Sequence, residues 1–255
     1  QKVGKVQATR IIMEISTTVF KSIYDNKTHR RINFPTFSDF EKFLYSLSKE
    51  QKKGKQDAQL ISPATYKADT TRANKNVLDW GGWCAIDVDD HAFKGNLEDE
   101  LNERFGNYTY VCYSTASSTH EFPKFRVVFP LKTPVEQDKI KHFWYALNSE
   151  LGNMADKQTK DLSRMYYIPN EYKGAYNFIF SHDGPQMDPH VLMGKHPYIN
   201  RQEGFFNRLP EAIQKGLIEH RKGQLQNTNY TWTGYDDCPF VNKKQIEEYK
   251  SITDT

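Results

Sequence analysis

Between residues 81 and 180 the apolar side chains switch repeatedly between a spacing of two and a spacing of three to four. Those periods belong to strands and helices respectively, so the switching prescribes a mixed α/β layer structure around one sheet. The segment "GGWCAIDV" reads as a strand closed by "DDH". "NLEDELNERFG" reads as a helix, with Asn96 as N-cap, acidic residues in the first turn and Gly106 at its stop. "YTYVCYS" and "KFRVVFPL" follow as strands joined by the loop "TASSTHEFP". "TPVEQDKIKHFWYALNSELG" reads as a second helix capped by Thr133, with Pro134 at its first position, Glu136 completing a capping box and Gly152 past its end. "RMYYIP" is expected as a fourth strand, paired with "AYNFIF" as a hairpin around Lys173 and Gly174.

The order β-α-β-β-α-β is the split βαβ plan of RRM-like sheets, in which the first and third strands are central and the fourth lies beside the first. The expected class is therefore α+β: a split βαβ sheet, an N-terminal α/β module and a small C-terminal helical appendage. In the N-terminal part, "TFSDFEKFLYSLSKEQ" carries Ser38 and Glu41 at capping-box spacing and Phe40, Phe43, Leu44 and Leu47 at helical intervals. The lysine-rich "SKEQKKGK" behind it reads as a solvated loop, "AQLISPATY" as a short strand and "KADTTRANKN" as a polar loop. Residues 1–10 lack a starting Met and any periodicity and are set aside as an expression remnant, 11–183 form the expected main domain, and 184–255 a linker with two helices, "LPEAIQKGLIEHRKG" and "VNKKQIEEYKS".

With 255 residues, 16 Phe and 15 Tyr, the chain can bury one dominant core, and wholesale disorder is excluded. A net charge of +3 permits a polyanionic partner without predicting one. Cys84, Cys112 and Cys238 are far apart with no C-x-x-C pair, which points to reducing conditions and no structural zinc. No apolar run approaches the roughly 18 residues of a membrane span, so a soluble cytoplasmic protein is expected.

Residues two apart in a strand share a face, so Trp83, Ala85, Asp87 and Asp89 point one way while Cys84, Ile86 and Val88 point the other. The apolar set is expected to pack on the helices and the carboxylates to face outward. Two like charges at adjacent same-face positions repel unless a cation lies between them, and hard oxygen donors suit Mg²⁺ or Mn²⁺. An ordinary acidic strand-to-loop junction is the alternative, because D-x-D spacing alone is common. Nucleotidyl transfer would require a further carboxylate, for which Asp156 and Asp161 are the candidates. Cations and hydroxyls for a triphosphate are available from Ser114, Ser117, Ser118, Thr119, His120, Lys124 and Arg126, with Arg126 on the face opposite Phe125, Val127 and Phe129.

Taken in order, "AIDVDD", "YSTASSTHEFPKFRVVFPL" and "ADKQTKDLSRMYYIP" resemble the three-motif series of the archaeo-eukaryotic primase superfamily, in particular the primase-polymerases of phages and plasmids. The similarity covers roughly residues 56 to 183. It implies DNA primase and DNA polymerase activity in phage or plasmid replication, by a two-metal mechanism using Mg²⁺ or Mn²⁺. Asp87 and Asp89 match the metal-binding pair of the first motif, and Asp156 with Arg164 matches the spacing of the third, which leaves Asp161 a structural residue. Arg126 stands where the second motif commonly ends in histidine, and His120 lies in the loop before it, so the role of His120 stays open.

The nucleotide-binding set is Ser114, Ser118, His120, Lys124, Arg126 and Arg164; the basic and aromatic Tyr66, Lys67, Arg72 and Lys75 form the expected template-binding set, with ordinary surface residues as the alternative reading of the same four. Expected partners are a single-stranded DNA template, deoxynucleoside triphosphates or ribonucleotides, and a helicase domain or subunit, in the cytoplasm of a host cell and with no membrane. Two other classes compete. A D-x-D glycosyltransferase would want an open parallel sheet. A non-catalytic replication-initiator or nucleic-acid-binding sheet would want aromatics where "WCAIDVD" and "FRVVF" place Asp and Arg.

Overall fold

A computed structural model describes residues 14–154, 161–198 and 210–226, the last of these without side chains beyond 219. Strands β1 (Ile15–Phe20) and β2 (Arg31–Phe34), helix α1 (Phe37–Leu47) and strands β3 (Gln51–Lys52), β4 (Leu60–Ser62), β5 (Ala64–Tyr66) and β6 (Val77–Trp80) precede the carboxylate-bearing strand β7 (Trp83–Val88). After it come α2 (Leu97–Phe105), β8 (Tyr110–Ser114), β9 (Phe125–Pro130), β10 (Val135–Glu136) and α3 (Ile140–Glu150). The series continues with β11 (Tyr166–Tyr167), β12 (Glu171–Tyr172), β13 (Ile179–His182) and α4 (Pro189–Lys195). All of these lie in one compact unit that reaches Tyr198, while helix α5 (Glu211–Gln226) belongs to a second unit, residues 199–255. The expected helix at 241–251 and Cys238 fall outside the described residues.

The central sheet has the order β13-β8-β9-β7, antiparallel throughout. Strands β8 and β9 pair because the loop between them closes on itself, with Thr115 N–H donating to the Lys124 carbonyl at 2.9 Å and Ser118 N–H to the Thr115 carbonyl at 3.1 Å. Along its whole length β7 pairs with β9, from Trp83 opposite Pro130 to Val88 opposite Phe125. The departure from the expected plan is the fourth strand. Tyr166–Tyr167 does not join this sheet but pairs with β4 in a second one, of order β11-β4-β1-β2. Its place is taken by β13, which lies beside β8 rather than beside β7, so no hairpin forms between "RMYYIP" and "AYNFIF". Instead β12 pairs in parallel with β3, which draws the intervening chain away from "RMYYIP".

Pro63 interrupts "LISPATY", because proline has no N–H to donate to a ladder; β4 and β5 accordingly fall in different sheets, β5 in a third one of order β10-β6-β5. The N-terminus expected for α3 is also displaced. Val135, buried and extended, pairs with Trp80, and the helix begins at Ile140 without a side-chain cap. Burial of Val135 in a strand outweighs the Thr133-Pro134 start signal. Helix α1 is capped by Thr36, whose hydroxyl accepts from Asp39 N–H at 3.2 Å, two residues earlier than Ser38 and Glu41 suggest. Residues 184–198 pack with the first unit rather than forming a linker, since Met187, Leu192 and Met193 join its core.

Helix α2 follows its expected caps. The Asn96 Oδ1 accepts from Glu98 N–H at 2.9 Å and Asp99 N–H at 3.3 Å. Replacement by Ala removes the acceptor for two otherwise orphaned donors, so Asn96→Ala is expected to lower stability by about 1 kcal/mol. The reading is a lower urea midpoint with an unchanged slope.

Candidate active site

Both faces of β7 are covered. Cys84, Ile86 and Val88 pack with Leu101 and Phe105 of α2 and Phe143 and Leu147 of α3. Trp83 and Ala85 pack on the other side with Phe40 and Leu44 of α1 and Tyr166 of β11. The alternation is as expected, yet the second face does not look onto solvent, because α1 and the second sheet lie over it. Asp87 therefore sits in the interior, 6 % exposed, and only Asp89, past the end of the strand, is exposed.

A buried carboxylate needs compensation, and the register supplies it. Asp87 stands directly opposite Arg126 on β9, which stands opposite Tyr113 on β8. Arg126 Nε donates to Asp87 Oδ1 at 2.5 Å, and Nη2 lies at the same distance from it. Nη1 donates to the Tyr167 carbonyl at 2.6 Å and to the Tyr113 hydroxyl at 3.3 Å. The guanidinium lies 4.8 Å from the ring centre of Tyr166 and 5.5 Å from that of Tyr113, within cation–π reach. Burial opposes its charge, but the Asp87 carboxylate together with Tyr113 and Tyr166 outweighs this and holds the Arg126 pKa above its ordinary value. Tyr166 donates its hydroxyl to the Ala85 carbonyl at 2.9 Å, and burial, then the Asp87 charge, pushes its phenol upward.

The other Asp87 oxygen accepts from Arg164 Nη2 at 3.3 Å, while Arg164 Nε is buried without a partner. Ser62 donates its hydroxyl to the Arg164 carbonyl at 2.6 Å, which fixes the residue just ahead of β11. Asp87, Asp89, Arg126 and Arg164 together line a cavity of about 150 Å³. Ser114 and Thr115 at the end of β8 line it too, as do Lys55, Tyr167 and Tyr172. Residues separated by more than a hundred positions thus share one hollow at the end of β7.

Of the remaining expected residues, Ser114 lines the cavity but is also engaged with Phe178, accepting from its N–H at 3.0 Å. Ser118 is buried and accepts from Lys124 N–H at 3.1 Å, a clasp within the β8–β9 loop rather than a surface for ligand. His120 is exposed, with its ring 3.8 Å from that of Tyr176. Neither His120 nor Lys124 lines the cavity. Asp161 accepts from the Ser163 hydroxyl at 3.4 Å and is not a lining residue; Asp156 lies outside the described residues. In the expected template set, Tyr66 lies edge-on to Phe20 with its phenol pushed up to about 12 by burial. Arg72 reaches the Ser163 carbonyl at 3.5 Å, and Lys67 and Lys75 are exposed. None of the four lines the cavity.

Lys55, Thr115, Tyr167 and Tyr172 are lining residues that pattern reasoning passed over. Lys55 follows Gly54 in the lysine-rich loop, and its ammonium lies 5.9 Å from the centre of the Tyr167 ring. A solvated charge run and a site loop have the same composition, so nothing local distinguishes them.

The donor set is compatible with a hard divalent cation. Mg²⁺ is typically held by one or two carboxylates, with water and substrate phosphates completing its shell. Asp89 enters no ion pair among the described residues, and Asp87 Oδ2 has one long bond. Among the described residues no group of three or more carboxylate, histidine or cysteine side chains forms a complete metal cluster. No helix among the described residues is long and apolar enough to cross a membrane.

A family model described as the VapE N-terminal domain matches residues 36–202. Among solved structures, the AEP domain of the cyanophage S-2L primase-polymerase superposes with a TM-score of 0.42 at 12 % identity, covering 72 % of this chain and 90 % of that one. No curated protein matches.

Proposed function

The chain belongs to the VapE N-terminal domain family, and from that premise we propose that it is a nucleotidyltransferase of the phage primase-polymerase type, extending a DNA strand on a single-stranded template from deoxynucleoside triphosphates. The observation that carries this reading is the pairing of Asp87 and Asp89 on a cavity also lined by Arg126, Arg164 and Lys55. Bound Mg²⁺ or Mn²⁺ would neutralise charge on the attacking hydroxyl and the leaving pyrophosphate.

The protein's own groups divide the remaining work. Asp89 and the Oδ2 side of Asp87 offer the cation oxygen ligands, and Asp156 is the proposed third carboxylate. Arg126 is spent on Asp87 and two tyrosines, so it is a positioning residue that aims the carboxylate rather than a group that reaches phosphate. Arg164 and Lys55, both more exposed, are the cations available to the triphosphate, with the Thr115 hydroxyl beside them. Their fixed positive charge would stabilise the developing pyrophosphate without reorganisation. Ribonucleotide use, primer-free initiation and a helicase partner belong to the same proposal and rest on the family resemblance alone.

The test is extension of a labelled primer on a single-stranded template with deoxynucleoside triphosphates and Mg²⁺ or Mn²⁺. Lengthening that stops with EDTA and returns on adding excess metal is the expected result. A primer that stays its original length with either metal, while the oligonucleotide still binds, would instead support a non-catalytic nucleic-acid-binding domain.

A further inference from the structure

Beside the catalytic cavity lies a wider one of about 620 Å³, and Tyr172 lines both. Its walls are the two strands of the β3–β12 ribbon, with Gln51, Lys52 and Lys53 on one side and Glu171, Tyr172 and Lys173 on the other. The ribbon is held by Glu171 N–H donating to the Glu50 carbonyl at 2.9 Å and Lys173 N–H to the Lys52 carbonyl at 3.2 Å. Asn177 closes the turn, accepting from Tyr172 N–H at 2.9 Å and donating to the carbonyls of Tyr172 at 2.8 Å and Ala175 at 3.0 Å. Gly174, at a φ of +80°, lies in the tight turn that follows β12.

With its backbone groups satisfied internally, the groove presents side-chain charge. Three lysines face one glutamate. Lys52 is paired with Glu50 at 3.4 Å, whereas Lys53 and Lys173 enter no ion pair among the described residues. Lys55, two positions beyond Lys53, lines the catalytic cavity. The run "KKGK" therefore sets lysines along both hollows in succession, with Tyr172 between them. Such a cationic path carries little base-reading chemistry, and it suits a phosphate backbone.

We propose that this groove guides the backbone of single-stranded DNA into the catalytic cavity, with Lys53 and Lys173 as its phosphate contacts. The inference rests on the nucleotidyl-transfer reading for its purpose, but its test needs no catalysis. Binding of a dye-labelled oligo-dT to the full chain is measured by fluorescence anisotropy across a NaCl series. For Lys53→Gln/Lys173→Gln the plot of log affinity against log salt is expected to be shallower by about 0.7 per lysine removed. An unchanged slope would overturn the groove, as would a slope that falls only with Lys67→Gln/Lys75→Gln. Groove-dependent binding without primer extension would leave this inference standing and remove the catalytic one; extension with groove-independent binding would do the reverse.

Discussion

Asp89→Asn is expected to reduce primer extension about a hundred- to a thousand-fold while leaving the melting temperature where it is. Removing one anionic ligand from a cation that balances charge on a transferring phosphoryl group forfeits about 3–4 kcal/mol of transition-state stabilisation. Asp89 is exposed and enters no ion pair among the described residues, so the fold loses nothing with its charge. Asp87→Asn is expected to lose activity as severely but also to melt earlier, because Arg126 would be left buried without its counter-charge. The split between the two variants separates a site residue from one that is both site and scaffold. Full extension by Asp89→Asn, measured over a range of metal concentrations, would rule the carboxylate pair out.

The second large effect concerns Arg126 itself. Arg126→Met keeps the stem's bulk but leaves Asp87 buried with only its 3.3 Å contact to Arg164, and breaking a buried pair from one side costs about 3–5 kcal/mol. For a chain of this size that corresponds to a fall in melting temperature on the order of 10 °C, readable by calorimetry or circular dichroism. Arg126→Lys should recover only part of it, since an ammonium cannot serve Asp87, the Tyr113 hydroxyl and the Tyr167 carbonyl together in the fork geometry they have. Arg164→Gln is expected to be mild in comparison, because that side chain is 28 % exposed and its bond is long. A melting curve for Arg126→Met that matches the parent would show that Asp87 does not depend on it.

Much of the site could be read from local pattern. The alternation in "WCAIDVD" and "FRVVF" sorted Asp87 and Arg126 onto one face, and their direct pairing follows from the β7–β9 register. Asn96 and Gly106 bounded α2 correctly because cap chemistry is local. What stayed hidden is what depends on distant chain. That Asp87 is interior depends on α1 and β11 covering its face, and no spacing within β7 encodes that. The edge on which the fourth strand lands, and the diversion of Tyr166–Tyr167 to another sheet, are choices made by long-range pairing. Thr133 and Pro134 carry a valid helix-start signal that tertiary burial of Val135 overrides.

The Tyr167 carbonyl that receives Arg126 belongs to a strand hydrogen-bonded to β4, which in turn pairs with β1. The position of Arg126, and through it Asp87, is thereby wired to β1. A shortened protein starting near Val77 would lose β1 and β4 together, unseat that carbonyl and lay bare Trp83, Ala85, Val111 and Val128, inviting self-association. Residues 15–66 supply the cover over the Asp87 face of the central sheet, and a shortened chain should keep them.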